Sequence, residues 1–156
     1  MGRILGLDFG TRRVGAALSD PSGWIASPLE VYERQATDRD AEHYRRLIED
    51  EQIDRIVVGL PLHTSGREGE SAILAREFGA WLGEVTGRTV SYHDERYTSH
   101  EADDAMRATG MKAKDRRARR DMLAAQIMLQ AYLDAGSPTT ETSAAPLDDP
   151  VDEGDS

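Results

Sequence analysis

The chain contains no cysteine, which excludes disulfides and thiolate-bound metal centres. It has no apolar stretch near the ~20 residues that a membrane-spanning helix needs. Met1-Gly2-Arg3 runs straight into a strand pattern without the layout of a signal peptide, so a soluble, cytoplasmic protein that avoids membranes is expected. No internal repeat is evident. Gly59-Leu60-Pro61 through Gly66 lacks the Lys-Ser/Thr pair of a phosphate-binding P-loop. The four histidines (His43, His63, His93, His100) lack metal-motif spacing and read as surface or packing residues, with His93 nearest the acidic site described below. Bases are absent from Ser137 to Ser156, where six acids stand (Glu141, Asp148, Asp149, Asp152, Glu153, Asp155). That segment is rich in Pro, Ser, Thr and Asp without apolar periodicity, and reads as a disordered acidic tail, residues 137–156.

What remains, residues 1–136, fits one globular domain with a sizeable core. The formal net charge is −10. Without the tail, 23 acids face 19 bases, so the body is only mildly acidic. Arginine supplies 17 of those bases. Six of them crowd into Lys112–Arg120 (Lys112, Lys114, Arg116, Arg117, Arg119, Arg120) beside a single acid. This basic stretch is either a solvated linker or a grip for phosphates.

The chain is organised around Ile4-Leu5-Gly6-Leu7-Asp8-Phe9-Gly10-Thr11-Arg12-Arg13-Val14-Gly15-Ala16-Ala17-Leu18-Ser19-Asp20. Two apolar runs flank a glycine-bearing turn and predict a β-hairpin with Gly10 as the permissive residue of the bend. Trp24 to Tyr32 predicts a third strand, with Pro28 favouring an edge or a bulge. Thr37-Asp38 offers capping chemistry for a helix to about Glu51, carrying Ala41, Tyr44, Leu47 and Ile48. Asp54–Leu60 is a β-branched run and hence a buried strand. Ile73, Leu74, Phe78, Trp81, Leu82 and Val85 form the stripe of a helix over Glu70–Val85, closed by Gly87. Thr89–His93 predicts the last strand. A helix from Ser99 to Thr109 and another from about Arg117 to Ala135, stopped by Gly136, complete the domain. The order predicts an α/β fold: a mixed five-stranded sheet with helices on both faces.

Three acidic positions stand at element boundaries or on an apolar helix face: Asp8, the pair Asp94-Glu95, and Asp121. Ala124, Ala125 and Met128 share the helical face of Asp121, so that helix can lie close to the sheet. Taken singly each acid has an ordinary explanation: a turn former at Asp8, an ion pair with Arg96 for Asp94 or Glu95, a complement to the helix dipole for Asp121. Taken together, converging carboxylates repel one another unless divalent cations sit between them. All-oxygen ligation favours Mg²⁺ or Mn²⁺, and two such ions ~3.5–4 Å apart suit phosphodiester cleavage. The triplet Asp8-Phe9-Gly10 matches a kinase metal-binding motif by chance only, since the companion kinase motifs are absent.

The sequence resembles the YqgF/RuvX family of bacterial RNase H-like nucleases, described both as Holliday junction resolvases and as pre-16S rRNA nucleases. The resemblance runs from about Arg3 to Leu133. It rests on Gly6-Leu7-Asp8-Phe9-Gly10-Thr11-Arg12-Arg13-Val14-Gly15, Val58-Gly59-Leu60-Pro61, Asp94-Glu95-Arg96-Tyr97-Thr98-Ser99 and Asp121-Met122-Leu123-Ala124-Ala125 continuing to Leu133. It implies an RNase H-like fold and a two-metal hydrolysis with Asp8, Glu95 and Asp121 as catalytic residues and ligands of Mg²⁺ or Mn²⁺. Asp8 would bridge the ions while Glu95 and Asp121 each complete one shell. Glu95 is preferred to Asp94 because side chains alternate along a strand.

The function expected is a nuclease in maturation of the 5′ end of pre-16S rRNA, acting as monomer or homodimer. Arg12, Arg96, Lys112, Lys114, Arg116 and Arg117 would bind the nucleic-acid backbone. One alternative keeps the fold and makes a four-way DNA junction the substrate. Another is a nucleotide-binding module, since the Asp-x-Gly-Thr hairpin is similar to that of actin-like ATPases and sugar kinases, although those need a second such domain. A third is a ribosome-assembly factor that binds RNA without cutting it.

Overall fold

Alternation in the first strand sets the layers. In the computed structural model, which describes residues 2–61, 68–94 and 113–138 except for the side chains of 113–118, β1 is Arg3–Phe9. Its Leu5 and Leu7 are fully buried in one core cluster, while Ile4 belongs to another on the opposite face of the sheet. β2 (Arg13–Ser19) and β3 (Ala26–Glu33) follow in an antiparallel meander. Then come α1 (Thr37–Asp50), β4 (Ile53–Leu60), α2 (Glu70–Thr86), β5 (Thr89–Asp94) and α3 (Ala113–Asp134). The five strands are ordered β3-β2-β1-β4-β5, with β4 parallel to both β1 and β5.

The larger cluster lies under α1 and α2. It joins Leu5, Leu7, Val14, Ile56, Val58 and Leu60 of the sheet to Tyr44, Ile48, Phe78 and Leu82 of the helices. The smaller cluster lies under α3 and joins Ile4, Ala17, Ala26 and Val57 to Ala125, Met128, Leu129, Tyr132 and Leu133. β4 is hydrogen-bonded on both edges and covered on both faces, which is why Ile56, Val57 and Val58 run together without polar alternation. Pro28 sits where the sequence leads one to expect it: on an edge strand, beside a register shift at which Ala16 faces Glu30 and the next residue, Ala17, faces Pro28. That irregularity removes the need for a proline N–H in the ladder.

Several expectations need correction. α1 is not capped by Thr37 or Asp38; its N-cap is Ala36, which makes no side-chain capping bond. Buried Asp40 ties the entry instead, its Oδ1 accepting from the Gln35 backbone N–H at 2.9 Å and the Tyr32 hydroxyl at 2.7 Å. On α2, Ile73 points outward, 51 % exposed, because the row against the sheet is Ala72, Ala75, Phe78, Gly79 and Leu82. α3 begins at Ala113 rather than near Arg117, so most of the expected basic linker is helix. β3 starts two residues later than expected, since Trp24 and Ile25 are held in a turn by their backbone N–H groups donating to Asp20 Oδ1, each at 2.8 Å. Gly10 does not adopt a left-handed conformation; it is needed because a Cβ there would lie 2.5 Å from the Arg13 carbonyl oxygen. The helix expected over Ser99–Thr109 and the tail beyond 138 lie outside the described residues.

Candidate active site

Asp8 stands directly opposite Gly15 in the β1–β2 ladder, and Gly6 opposite Ala17. Residues facing each other across an antiparallel pair project to the same side of the sheet. Ala17 is packed under α3, and a Cβ on Gly6 would lie 2.8 Å from Leu129 of that helix. Asp8, Gly6 and Gly15 therefore share the face on which α3 lies. At Gly15 the approach is closer still: a Cβ there would collide with the backbone carbonyl of Asp121. Glycine is required because the helix backbone rests against the strand backbone. The outcome is that Asp121, on the helix, and Asp8, on the neighbouring strand, are brought to the two sides of one glycine.

Arg13 joins them from the same side of β2, two residues before Gly15. Its Nε donates to Asp121 Oδ2 at 3.1 Å, with both side chains part-buried at 36 % and 23 % exposure. Such a partly shielded pair fixes the Asp121 rotamer and offsets some of the repulsion between the two acids. The sequence reading missed this role of Arg13. The i, i+2 spacing of Arg13, Gly15 and Ala17 on one strand face carried the signal. Gln126 and Gln130, four apart on α3, were also missed. The first donates through Nε2 to the Ala26 carbonyl at 3.1 Å, and the second accepts from the Ala26 N–H through Oε1 at 2.9 Å, pegging α3 to the start of β3.

On β5 the alternation separates the two acidic candidates. Asp94 pairs with Leu60 and so falls on the α1–α2 face, away from Asp8. Glu95 lies outside the described residues, as do Arg96 and Lys112. His93 faces α3, where its ring meets Tyr132 edge-on at 6.0 Å, far along the helix from Asp121. Burial holds the His93 imidazole below its ordinary pKa, against the opposing pull of Asp94. Arg12 is exposed in the bend between β1 and β2. Lys114, Arg116 and Arg117 lie in the opening turns of α3, with side chains outside the described set; by helical spacing positions 114 and 117 share the face of Asp121.

Asp8 and Asp121 offer only carboxylate oxygens, a donor set that fits hard divalent cations such as Mg²⁺ or Mn²⁺ and suits zinc poorly. Among the described residues no group of three His, Cys, Asp or Glu side chains is gathered at one point; of the three expected acids, Asp8 and Asp121 are described and lie on the same face of the sheet.

A family model described as RuvX, Holliday junction resolvase, matches residues 2–135. A protein of Koribacter versatilis named "Putative pre-16S rRNA nuclease" is 46 % identical over 85 % of this chain and 87 % of its own length. A protein of Rhodopirellula baltica with the same name is 39 % identical over 86 % of this chain and 78 % of its own. Among solved structures, Thermus thermophilus RuvC in complex with a Holliday junction substrate superposes with a TM-score of 0.55 at 13 % identity, covering 90 % of this chain and 99 % of that one. The Fowlpox virus resolvase, in complex with Holliday junction DNA, gives 0.51 at 8 % identity, covering 85 % and 97 %. At such identities these two likenesses speak for the fold, which is RNase H-like.

Proposed function

The chain belongs to the RuvX family, and from that premise we propose that it is a metal-dependent nuclease acting in maturation of the 5′ end of pre-16S rRNA. It is a hydrolase of phosphodiester bonds. The observation that carries this reading is the placement of Asp8 and Asp121 on one sheet face, either side of Gly15.

Asp8, Asp121 and Glu95 are the residues that would hold two Mg²⁺ or Mn²⁺ ions. When bound, such ions supply the Lewis acidity for in-line hydrolysis to a 3′-hydroxyl and a 5′-phosphate. The chain's own groups do the remaining work. Arg13 holds the Asp121 carboxylate in position, and Gly15 keeps the strand surface low enough for the helix to deliver it. Lys114, Arg116 and Arg117 on α3, with Arg12, Arg96 and Lys112, would bind the phosphodiester backbone without reading bases. Work in the cytoplasm is part of this proposal; among the described residues no helix is long and apolar enough to cross a membrane.

The description of the family favours a second reading, with a four-way DNA junction as substrate. Symmetric junction cleavage needs two active sites and therefore a dimer. One experiment separates the readings: precursor 16S 5′-end RNA and a four-way DNA junction are offered side by side to wild type and Asp8→Asn, in Mg²⁺, Mn²⁺ or EDTA. Metal-dependent cutting of the RNA alone, lost in the variant, is the expected result. Junction cutting alone promotes the resolvase. Full activity in Asp8→Asn overturns the site, and binding without cutting of either substrate leaves an RNA-binding assembly factor.

A further inference from the structure

On the sheet face opposite Asp8, a cavity of about 270 Å³ opens between the β1–β2 turn and helices α1 and α2. Its wall is a run of aromatic rings. Phe9 lies 4.7 Å from Phe78 at 34°, and Phe78 lies 5.9 Å from Trp81 at 29°. Phe9 and Trp81 are only half-buried. The Arg34 guanidinium stands over the Phe9 ring, 5.0 Å from its centre. It is held there by Nη1 donating to the Thr11 carbonyl at 3.0 Å. The backbone N–H of Arg34 donates to the Arg12 carbonyl at 2.9 Å. The rings pack on one another and Arg34 covers Phe9, so the surfaces left to a flat, polarisable ligand are the half-buried Trp81 ring and the outer face of the fixed guanidinium.

Two carboxylates line the same cavity, Asp40 and Glu77. Asp40 spends Oδ1 on Tyr32 and Gln35, and an ionised carboxylate retains acceptor capacity on its second oxygen. Glu77 is exposed on α2. Carboxylates there repel phosphate and accept N–H donors. Guanine presents N1–H and N2–H₂ side by side, a bidentate match for a carboxylate, whereas uracil presents one N–H between two carbonyls. Phe9 follows Asp8 directly in β1, so the slot and the acidic site lie on the two sides of one strand end. A nucleic-acid strand crossing the β1–β2 turn, past exposed Arg12, reaches both.

Resting on the nuclease reading of Asp8, we propose that this cavity takes an unstacked guanine base from the single-stranded RNA adjoining the cleaved phosphate. Trp81 and Arg34 stack the base, Glu77 and Asp40 accept from its Watson–Crick edge, and the acids opposite Gly15 handle the phosphodiester.

The chain has two tryptophans, and Trp24 is 75 % exposed, so Trp24→Phe leaves Trp81 as a reporter in the cavity wall. In EDTA, where no cutting occurs, this protein is titrated with hexauridylate and with the same hexamer carrying one guanosine. The guanosine hexamer should quench Trp81 and bind about tenfold more tightly, the discrimination expected of one good bidentate contact. Glu77→Gln, on the exposed side of α2, should erase most of that preference, read as the ratio of the two affinities, since losing the carboxylate's repulsion of phosphate acts on both hexamers alike. Equal affinity for the two hexamers, a preference without Trp81 quenching, or a preference intact in Glu77→Gln overturns the assignment. If precursor RNA is still cut in Mg²⁺, such a result removes the guanine site and leaves the nuclease. Unimpaired cutting by Asp8→Asn removes the nuclease reading instead.

Discussion

The two faces of the sheet are built on opposite principles. Under α1 and α2 the contacts are made by large side chains, with Tyr44, Phe78 and Trp81 packed edge to face or stacked. Under α3 the strands offer Gly6, Gly15 and Ala17, and the helix offers Ala124 and Ala125. Large rings hold helices at a distance and fill the space; small residues let a backbone lie on a backbone. The candidate chemistry sits on the thin face because a short carboxylate on a helix reaches a strand-borne carboxylate only if nothing stands between. The thick face carries most of the hydrophobic burial. Stability and the candidate chemistry are thus divided between the two sides of one strand, with Leu7 and Phe9 on one and Asp8 on the other.

Substitutions on the two faces should separate activity from stability. The largest expected effect is on the thin face: Asp8→Asn should lower cleavage by about a thousandfold or more while the melting temperature in EDTA stays level. Added Mg²⁺ should raise the melting temperature of wild type, since a ligand of the native state stabilises it by mass action, and should do so less for the variant. Equal Mg²⁺ stabilisation of both proteins would remove Asp8 from the metal site. On the thick face the order reverses. Phe78→Ala should cost about 3–5 kcal/mol of unfolding free energy, through lost burial and the cavity left behind, measured by urea denaturation. Where the protein remains folded, metal-dependent cleavage should persist, with the guanine preference weakened because Phe78 supports Trp81 in the cavity wall.

Gly15→Ala tests the thinness itself. The added methyl collides with the Asp121 carbonyl, so α3 must lift or slide. Overpacking of this kind costs about 1–3 kcal/mol, less than Phe78→Ala, yet the displacement falls where Asp121 faces Asp8. Activity should drop by more than the stability loss accounts for, with the Arg13–Asp121 ion pair broken. Cleavage at wild-type rate in a folded Gly15→Ala protein would show that close contact at that glycine does not position the site.

The same division explains what was legible beforehand. The thick face announces itself through periodicity: the β-branched run of β4 and the apolar repeats of α1 and α2 mark elements because large side chains repeat at the period of the structure. The misplacement of Ile73 came from counting large residues alone, when Ala72, Ala75 and Gly79 share with Phe78 and Leu82 the row that faces the sheet. α3 starts early because Ala113, Lys114, Asp115 and Arg116 are compatible with a helix, and their charge says nothing against it. Asp8 and Asp121 were legible as acids out of place. Their meeting across Gly15 was not, because a single glycine in a strand does not say which helix crosses it, nor that Arg13 stands ready beside it. The separation of Asp94 from Asp8 required the register with β4.

The smallest effect belongs to the thick face and concerns its phenols. Burial pushes the Tyr44 hydroxyl well above the usual phenol range and raises Tyr92 also; Tyr32 is pushed up to about 12, by burial first and then by its hydrogen bond to Asp40. A phenol whose folded pKa exceeds its unfolded value of ~10 is neutral in the fold, and its contribution is complete below pH 10. It is lost as pH rises through the folded values, because the unfolded chain ionises first. The protein should therefore weaken above pH 10, with the thick face responsible. Tyr44 and Tyr32 then differ at neutral pH. The Tyr44 hydroxyl is buried with no hydrogen-bond partner among the described residues, so it carries a desolvation cost without return. Tyr44→Phe should raise stability by about 1 kcal/mol at pH 7 and soften the loss between pH 10 and 12. The Tyr32 hydroxyl donates to Asp40 at 2.7 Å, so Tyr32→Phe should lower stability at pH 7 by about 1–2 kcal/mol. Urea midpoints at pH 7 and 11 distinguish the two. A Tyr44→Phe protein less stable than wild type at pH 7 would mean that the hydroxyl has a partner, such as a buried water bridging towards Asp40, and that the thick face is less dry than its rings suggest.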